Sequence, residues 1–362
     1  EVHGSNNAGG FVASVKNIEH GEQITIKDSN STGKISRGSG WNQYGIGGLV
    51  GIVTESDDAK IIVDNSRFEG NLTCETSSCN MGGFIGLVQD ADNVDLEFTE
   101  CKSVAPTTCS SSDNQEFVYG GFVGSFQSFG SVRVLGTNIT LDGMVKTINQ
   151  TSKNIFGGFA GRISSGTTTE IALKQVMDVK ILDATCKSLN CGGLIGELNK
   201  IKTANVTIED VHSKAVFQLE VSEGTNPSSG GFIGFIEDIT TLNVSIADST
   251  CEGRMTTHSN KRMFSGGAIG LITETGSGFI SLNNVTQNGT INVNNGYGVG
   301  GFIGGILATS TAVTVTGCTL GGMITSDNAD YLSGVVGTVQ ASNEIKVEIL
   351  DSTISGNISS TD

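Results

Sequence analysis

Apolar and polar residues alternate along most of the chain, in short segments that follow a repeated glycine box. The box is two Gly, two apolar residues and a further Gly or Ala, as in GGLVG and GGFIG; it begins at Gly9, Gly47, Gly82, Gly120, Gly157, Gly192, Gly230, Gly266, Gly300 and, as SGVVG, Ser333. Successive side chains of a strand point to opposite faces, so a period of two predicts β-strands. Counting the first box residue as zero, positions two and six are apolar throughout, and we expect them to point inward.

Two further short apolar segments follow each box. The second lies about thirteen residues on, as in ITIKD and VTIED, and the third follows a turn, as in TGKIS and EGNLT. Because boxes recur every 33 to 38 residues, residues 1–362 form a single array of about ten repeats. Stacked repeats share a core that one repeat cannot form alone. We predict an all-β parallel β-helix (β-solenoid) with three short strands per coil; a propeller, with four antiparallel strands per blade, fits less well.

The recurring GGLVG and GGFIG boxes resemble the GLUG-type repeats of secreted and cell-surface proteins, including bacterial adhesins and large surface proteins of protists. The resemblance extends over all ten boxes. It implies a β-solenoid at the cell surface or outside the cell, and it carries no catalytic residues to this chain.

Glycine is abundant, with 51 residues against 2 Pro, but it shows no Gly-X-Y period, which excludes a collagen. We expect glycine for two reasons: coil corners with positive φ, and close backbone approach at the box. Acidic residues outnumber basic ones 37 to 21, for a net charge of −16, without a basic cluster. This charge argues against nucleic-acid partners and anionic membranes. No apolar run approaches the about 20 residues of a membrane helix, so we predict no membrane insertion.

Position three of the box is also apolar, although it faces away from position two. A strand that is apolar on both faces is covered on both sides, either by the chain's own loops or by another molecule. On the second hypothesis, the candidate assembly ladder is Val12, Val50, Ile85, Val123, Ala160, Ile195, Ile233, Ile269, Ile303 and Val336.

The two ends of the array indicate self-association. Counting from Ser333 through Asp362 and on to Gly9 of a second copy gives a spacing of 38 residues, within the range inside the chain. Neither end shows a polar capping repeat, and uncapped solenoids expose strand edges. We expect head-to-tail stacking if the chain is a processed mature form; since it begins with Glu1, it is alternatively a segment of a longer repeat chain.

Six of the eight cysteines fall into local pairs that turns could close as disulfides: Cys74 with Cys79, Cys101 with Cys109, and Cys186 with Cys191. Cys251 and Cys318 are expected as buried free thiols, with Cys251 aligned to Leu320 and Cys318 aligned to Ser249. Ordinary reduced cysteines remain the alternative.

Nine sequons for N-glycosylation occur, at Asn30, Asn71, Asn138, Asn149, Asn205, Asn243, Asn284, Asn288 and Asn357. Several recur at equal offsets from their boxes, for example Asn205 and Asn243 at thirteen residues. Equal offsets predict outward positions that align along the rod, and they favour a secreted glycoprotein.

The sequence offers no catalytic constellation, because the four histidines lie at no metal-ligand or triad spacing. No cofactor is predicted. Acidic loop residues could hold Ca²⁺ or, in a polysaccharide-cleaving β-helix, act on substrate; they are Glu55, Asp57, Asp58, Asp90, Asp92, Asp95, Glu237 and Asp238. We expect an extracellular, non-enzymatic structural protein, a glycosylated subunit that stacks head to tail into a filament or surface fibre. A cell-surface adhesin rod that binds glycans or a host surface is the alternative, and the enzyme is the least favoured.

Overall fold

Parallel β-strands form the whole of the described fold. The computed structural model describes residues 2–4, 7–19, 21–37, 44–74, 78–104, 106–110, 116–148, 154–182, 184–186, 190–221, 226–340 and 345–361, and they contain no helix. Ten box strands pair in series, each in parallel with the next. The predicted all-β parallel β-helix is therefore confirmed, with eight interior coils between the first and the last.

The strands of the first five boxes are β1 (Val2–Gly4), β2 (Ala8–Gly9), β3 (Val12–Lys16), β4 (Gln23–Lys27), β5 (Asn30–Ser31), β6 (Ile35–Arg37), β7 (Tyr44–Gly47), β8 (Val50–Thr54), β9 (Ala59–Asp64), β10 (Arg67–Phe68), β11 (Leu72–Cys74), β12 (Cys79–Gly82), β13 (Ile85–Thr99), β14 (Lys102–Ser103), β15 (Thr107–Ser110), β16 (Phe117–Gly120), β17 (Val123–Ile148), β18 (Asn154–Gly157), β19 (Ala160–Leu182) and β20 (Ala184–Cys186).

The strands of the other five boxes are β21 (Asn190–Gly192), β22 (Ile195–Ser213), β23 (Val216–Val221), β24 (Ser228–Gly230), β25 (Ile233–Ala247), β26 (Thr250–Cys251), β27 (Arg254–Gly266), β28 (Ile269–Asn283), β29 (Thr286–Gln287), β30 (Thr290–Gly300), β31 (Ile303–Leu307), β32 (Ala312–Thr316), β33 (Thr319–Leu320), β34 (Met323–Asp327), β35 (Tyr331–Ser333), β36 (Val336–Gln340), β37 (Val347–Leu350), β38 (Thr353–Ile354) and β39 (Asn357–Thr361).

The second coil shows the plan of a repeat. Its box strand β8, second strand β9 and third strand β11 are the three predicted strands. A two-residue strand, β10, and a strand that leads into the box, β7, were not predicted. This pre-box strand pairs with the pre-box strand of the next coil, as in β7 with β12. In the central coils the box and second strands merge into one continuous paired segment, such as β13 or β22.

Large apolar side chains fill the interior in columns, and each coil contributes one side chain to a column. Position two points inward as predicted; its rings Phe84, Phe122 and Phe159 stack with centroid distances of 4.5 and 5.4 Å. Phe98 from a second strand meets Phe84 and Phe122 edge-on. Such pairs add to the stabilisation from burial. Phe11 in the first coil is the exception, since it is 50% exposed.

The box glycines allow backbones to approach without room for a side chain. A Cβ on Gly47 would lie 1.8 Å from the Val50 carbonyl oxygen, and one on Gly48 would lie 1.9 Å from the Gly83 carbonyl oxygen of the next coil. A Cβ on the third box glycine would meet the preceding coil; on Gly51 it would lie 2.4 Å from the Ala13 carbonyl oxygen. Close approach, the second predicted reason for glycine, is confirmed.

Within the two corner columns of the described residues, only Gly317 uses glycine for positive φ, so the first predicted reason explains few of the glycines. Among the described glycines only three have positive φ, and none belongs to a box: Gly21, Gly278 and Gly317. Instead, two corner columns hold mainly Asn, Asp and Glu in the left-handed region; Glu55 and Asp90 are in one column and Asp28 and Asn65 in the other. Asn and Asp tolerate this conformation because their side chains hydrogen-bond locally.

The predicted assembly ladder at position three does not form an outer face. Eight of its ten residues, from Val50 to Ile303, are at most 1% exposed and belong to the same apolar core as Phe84. Only Val12 and Val336, in the first and last coils, are half-buried. The pre-box strands contribute to the same core cluster, for example through Ile46 of β7 and Met81 of β12. The chain therefore covers its own ladder, and no partner is needed along it.

We predict that a single methyl group in a box strongly destabilises the fold. In Gly120→Ala the new Cβ would lie 1.8 Å from the Val123 carbonyl oxygen, whereas in the control Gly33→Ala it would meet nothing within 4 Å. We expect Gly120→Ala to lower the midpoint of thermal unfolding by circular dichroism by more than about 10 °C, the scale of a few kcal/mol. Equal midpoints for the two variants would contradict the backbone-contact argument.

Candidate functional site

Large apolar side chains become exposed where the columns reach the last coil. Val339, Ile349 and Ile354 are 42%, 49% and 50% exposed. Ile349 ends a column that continues below it through Val315 and Leu282, both fully buried. These three side chains, with Val336 and Val347, are the C-terminal end face. It presents the apolar surface that every interior coil uses to contact the next one.

The first coil presents the opposite surface, the N-terminal end face. Here a groove of about 570 Å³ is lined by Val12, Val15, Ile18 and Ile24 together with polar residues. Among the described strands, β3 and β4 pair only with the second coil, and β36 and β37 pair only with the coil below them. Each end therefore has parallel strand edges with unfilled backbone pairing, next to apolar side chains.

A charged seam lies between the pre-box strands and the box strands of the middle coils. Arg162 donates two hydrogen bonds of 2.6 Å to the Glu116 carboxylate, and its Nε lies 3.2 Å from Glu197 Oε1. The Arg162 and Glu197 side chains are 15% and 7% exposed. Two charges of opposite sign are thus held together in a largely dry layer, where loss of one partner is costly.

Amide side chains extend this seam to a further carboxylate. Asn190 Nδ2 donates to Glu197 Oε2 at 2.8 Å, and Asn199 Nδ2 donates to both Glu197 at 3.2 Å and Glu237 at 3.1 Å. Burial raises the pKa of the Glu237 carboxyl, and the Glu197 and Glu274 carboxylates raise it further. This seam was not predicted from the sequence. Its signal was the opposite charges of Arg162 and Glu197, both five residues after the start of adjacent boxes.

Because the folded state raises the pKa of Glu237, folding favours the protonated carboxyl. Stability from this group is therefore lost as pH rises from about 4.3, the ordinary pKa of Glu, through the folded-state value. We predict that Glu237→Gln raises the unfolding midpoint at pH 7, with the gain vanishing near pH 4; Glu237→Asp, which keeps the charge, should show no gain. A gain for Glu237→Gln of equal size at both pH values, in thermal melts, would contradict the electrostatic cause.

The cysteines follow the prediction in part. Cys74 and Cys79 form a disulfide, as predicted. Cys101 is instead a buried free thiol, so its predicted pairing with Cys109 is wrong; its Sγ donates to the Val63 and Thr99 carbonyls, each at 3.2 Å. The side chains of Cys109 and Cys186 lie outside the described residues, but Cys191 is a buried thiol that is not part of a disulfide, so its predicted pairing with Cys186 is also wrong.

The expected free thiols Cys251 and Cys318 are confirmed. Cys251 lies in the column of Leu320, two coils away. Cys318 Sγ donates to a carbonyl two residues before it and accepts an amide N–H from the coil below, as Ser249 Oγ does. Burial raises the pKa of Cys251 to about 11. These thiols occupy positions in the core and at a corner, where they pack or hydrogen-bond.

The described sequon asparagines all lie away from the core. Six are exposed and Asn205 and Asn243 are half-buried, while Asn149 lies outside the described residues; the exposed six are Asn30, Asn71, Asn138, Asn284, Asn288 and Asn357. The predicted outward positions are thus confirmed for eight of the nine. Whether they carry glycans stays a prediction.

Asn205 and Asn243 are nearest neighbours on adjacent coils. They are in register, and Asn243 Nδ2 donates to Asn205 Oδ1 at 2.8 Å. Two N-linked glycans one rung of about 4.8 Å apart would compete for the same space. We predict that native material carries a glycan on at most one of the two in any molecule. Intact glycopeptide mass spectrometry of a peptide spanning residues 205–243 checks this, and a doubly occupied peptide would contradict it.

The acidic loop residues are mostly engaged with the protein. Glu55 pairs with Lys16 at 3.5 Å, and Asp95 lies 3.3 Å from Arg133. Among the described residues no group of three or more His, Cys, Asp or Glu is placed to hold a metal ion, so the Ca²⁺ prediction gains no support. The described part also contains no helix long and apolar enough to cross a membrane.

Comparison with known proteins identifies no relative. No protein-family model, curated protein or solved structure matches the chain.

Proposed function

We propose that this protein is a structural β-solenoid subunit that stacks head to tail with further copies into a filament. The C-terminal end face carries the proposal, because its columns end in apolar side chains that are 42–50% exposed. A second copy placed in register continues each column. Val336, Val339 and Val347 of one copy meet Val12, Val15 and Ile24 of the next.

The contacts of this stack repeat those inside the chain. Every coil-to-coil contact joins parallel strands in register over an apolar interior, and the end faces have the same strands and columns. A contact between the top of one subunit and the bottom of another is heterologous, so it propagates into a fibre. Stacking would also cover the strand edges of β36 and β37, which natural β-proteins seldom leave exposed.

We propose an extracellular location for the fibre. The Cys74–Cys79 disulfide is of a kind that persists in oxidising compartments. The eight described sequons lie on the outside of the solenoid, away from the columns that make the end faces. Glycans at these positions would surround the fibre and leave its ends accessible.

We predict that Ile349→Lys abolishes stacking. In the stack, Ile349 meets Ile26, so the variant would bury an unpaired ammonium group in the apolar column. Phe279→Lys is the matched control, because Phe279 is likewise 49% exposed but lies on the side of the rod. Negative-stain electron microscopy and light scattering of the 362-residue chain should show filaments for the control and monomers for Ile349→Lys. Strictly monomeric wild-type protein would contradict the proposal.

A further inference from the structure

The third strand of the first coil, β6, differs from the other strands of that coil. Strands β3, β4 and β5 each pair on one side only, with β8, β9 and β10. Strand β6 pairs on both sides, with β11 above it and with β1 below it. The N-terminal end face is therefore stepped: β1 occupies the third-strand position one rung below the first coil.

Head-to-tail stacking needs that same position. Within the chain, the pairings of β31 with β36, β32 with β37 and β33 with β38 are accompanied by β34 with β39 in the third-strand column. If the same pairing continued into a second copy, β36, β37 and β38 of the first copy would pair with β3, β4 and β5 of the second. By the same geometry, β39 would pair with its β6, on the edge that β1 already covers.

We infer that β1 is a displaceable strand, which covers the edge of β6 in the free subunit and gives way to β39 of the neighbouring copy during assembly. The inference rests on the proposed function. Strand β1 pairs over three residues, with Val2 opposite Ile35, whereas β39 has five residues and would place Ile358 opposite Ile35. Val2 is 38% exposed, while Ile358 is half-buried and packs against the main core.

The exchange conserves the type of contact. One parallel strand with an apolar residue opposite the buried Ile35 replaces another, so backbone hydrogen bonds of the same kind are lost and regained. A free subunit keeps the β6 edge covered, which protects it from pairing with unrelated chains. Assembly must then wait for β1 to open, and that opening sets a lag before filaments form.

A single proline tests the release of β1. The Val2 amide donates to the Lys34 carbonyl at 2.9 Å, and Val2→Pro removes this donor, whereas Val2→Ala keeps it. We expect Val2→Pro to shorten the lag in light scattering by about fivefold, the effect of losing roughly one hydrogen bond from the competing pairing. Val2→Ala should leave the lag within about twofold of wild type.

A reversible disulfide that holds β1 on β6 tests the opposite effect. His3 and Ser36 are paired in register, so His3→Cys with Ser36→Cys allows a disulfide between β1 and β6. The oxidised double variant should remain monomeric, and the reduced protein should assemble like reduced wild type, which controls for loss of Cys74–Cys79. Filaments of normal length from the oxidised double variant would overturn the inference while leaving stacking intact. If neither wild type nor Val2→Pro assembles, both proposals fail.

Discussion

The close approach of backbones at the glycine boxes is the constraint on which the rest of the solenoid depends. In the boxes that begin with Gly, the box glycines bring the pre-box strand, the box strand and the neighbouring coil to within 1.8–2.6 Å of where a Cβ would be. This contact closes every coil at the same residue, so the remaining positions of the repeat fall into register. The first coil shows the dependence directly. Its third box residue is Ala13 rather than Gly. In the following coils this position contacts the box region of the preceding coil, and no described box strand precedes the first coil.

Because the coils are in register, equivalent residues lie next to each other in columns along the solenoid. Charged side chains in one column must therefore be compatible with their neighbours on the adjacent coils. On the outer face of the second strands, Lys60, Asp95, Arg133 and Glu170 follow one another on successive coils. Alternating signs place each charge next to its opposite, whereas a slip by one coil would bring like charges together. Individually such exposed pairs stabilise by less than about 1 kcal/mol. As an ordered column they favour one register over its alternatives.

The parts of the structure that repeat were predictable from sequence, and those that occur once were not. Period-two alternation and ten boxes were sufficient for the fold and for the inward column of Phe84, Phe122 and Phe159. The pre-box strand escaped prediction because it is only two to four residues long in most coils, which is too short for a clear alternation, and because the residue before the box varies from Met81 in one coil to Ser265 in another. For position three, the sequence left open cover by the chain's own loops or by another molecule, and the structure shows that the chain itself buries these residues. The charged seam around Arg162 is confined to four neighbouring coils, which contribute Glu116, Arg162, Glu197 and Glu237, so its pattern does not recur along the rest of the array.

The two ends of such a solenoid are not equivalent, and this asymmetry follows from the path of the chain rather than from its composition. A coil always proceeds from pre-box strand to box strand to second and third strand, so the strands of one rung are laid down in a fixed order. The described chain holds a third strand, β1, below its first box strand and another, β39, above its last one. A stack of copies therefore has one third strand too many at every joint. Either joints remain imperfect or one strand leaves, and the shorter pairing, three residues in β1, is the one that costs less to open.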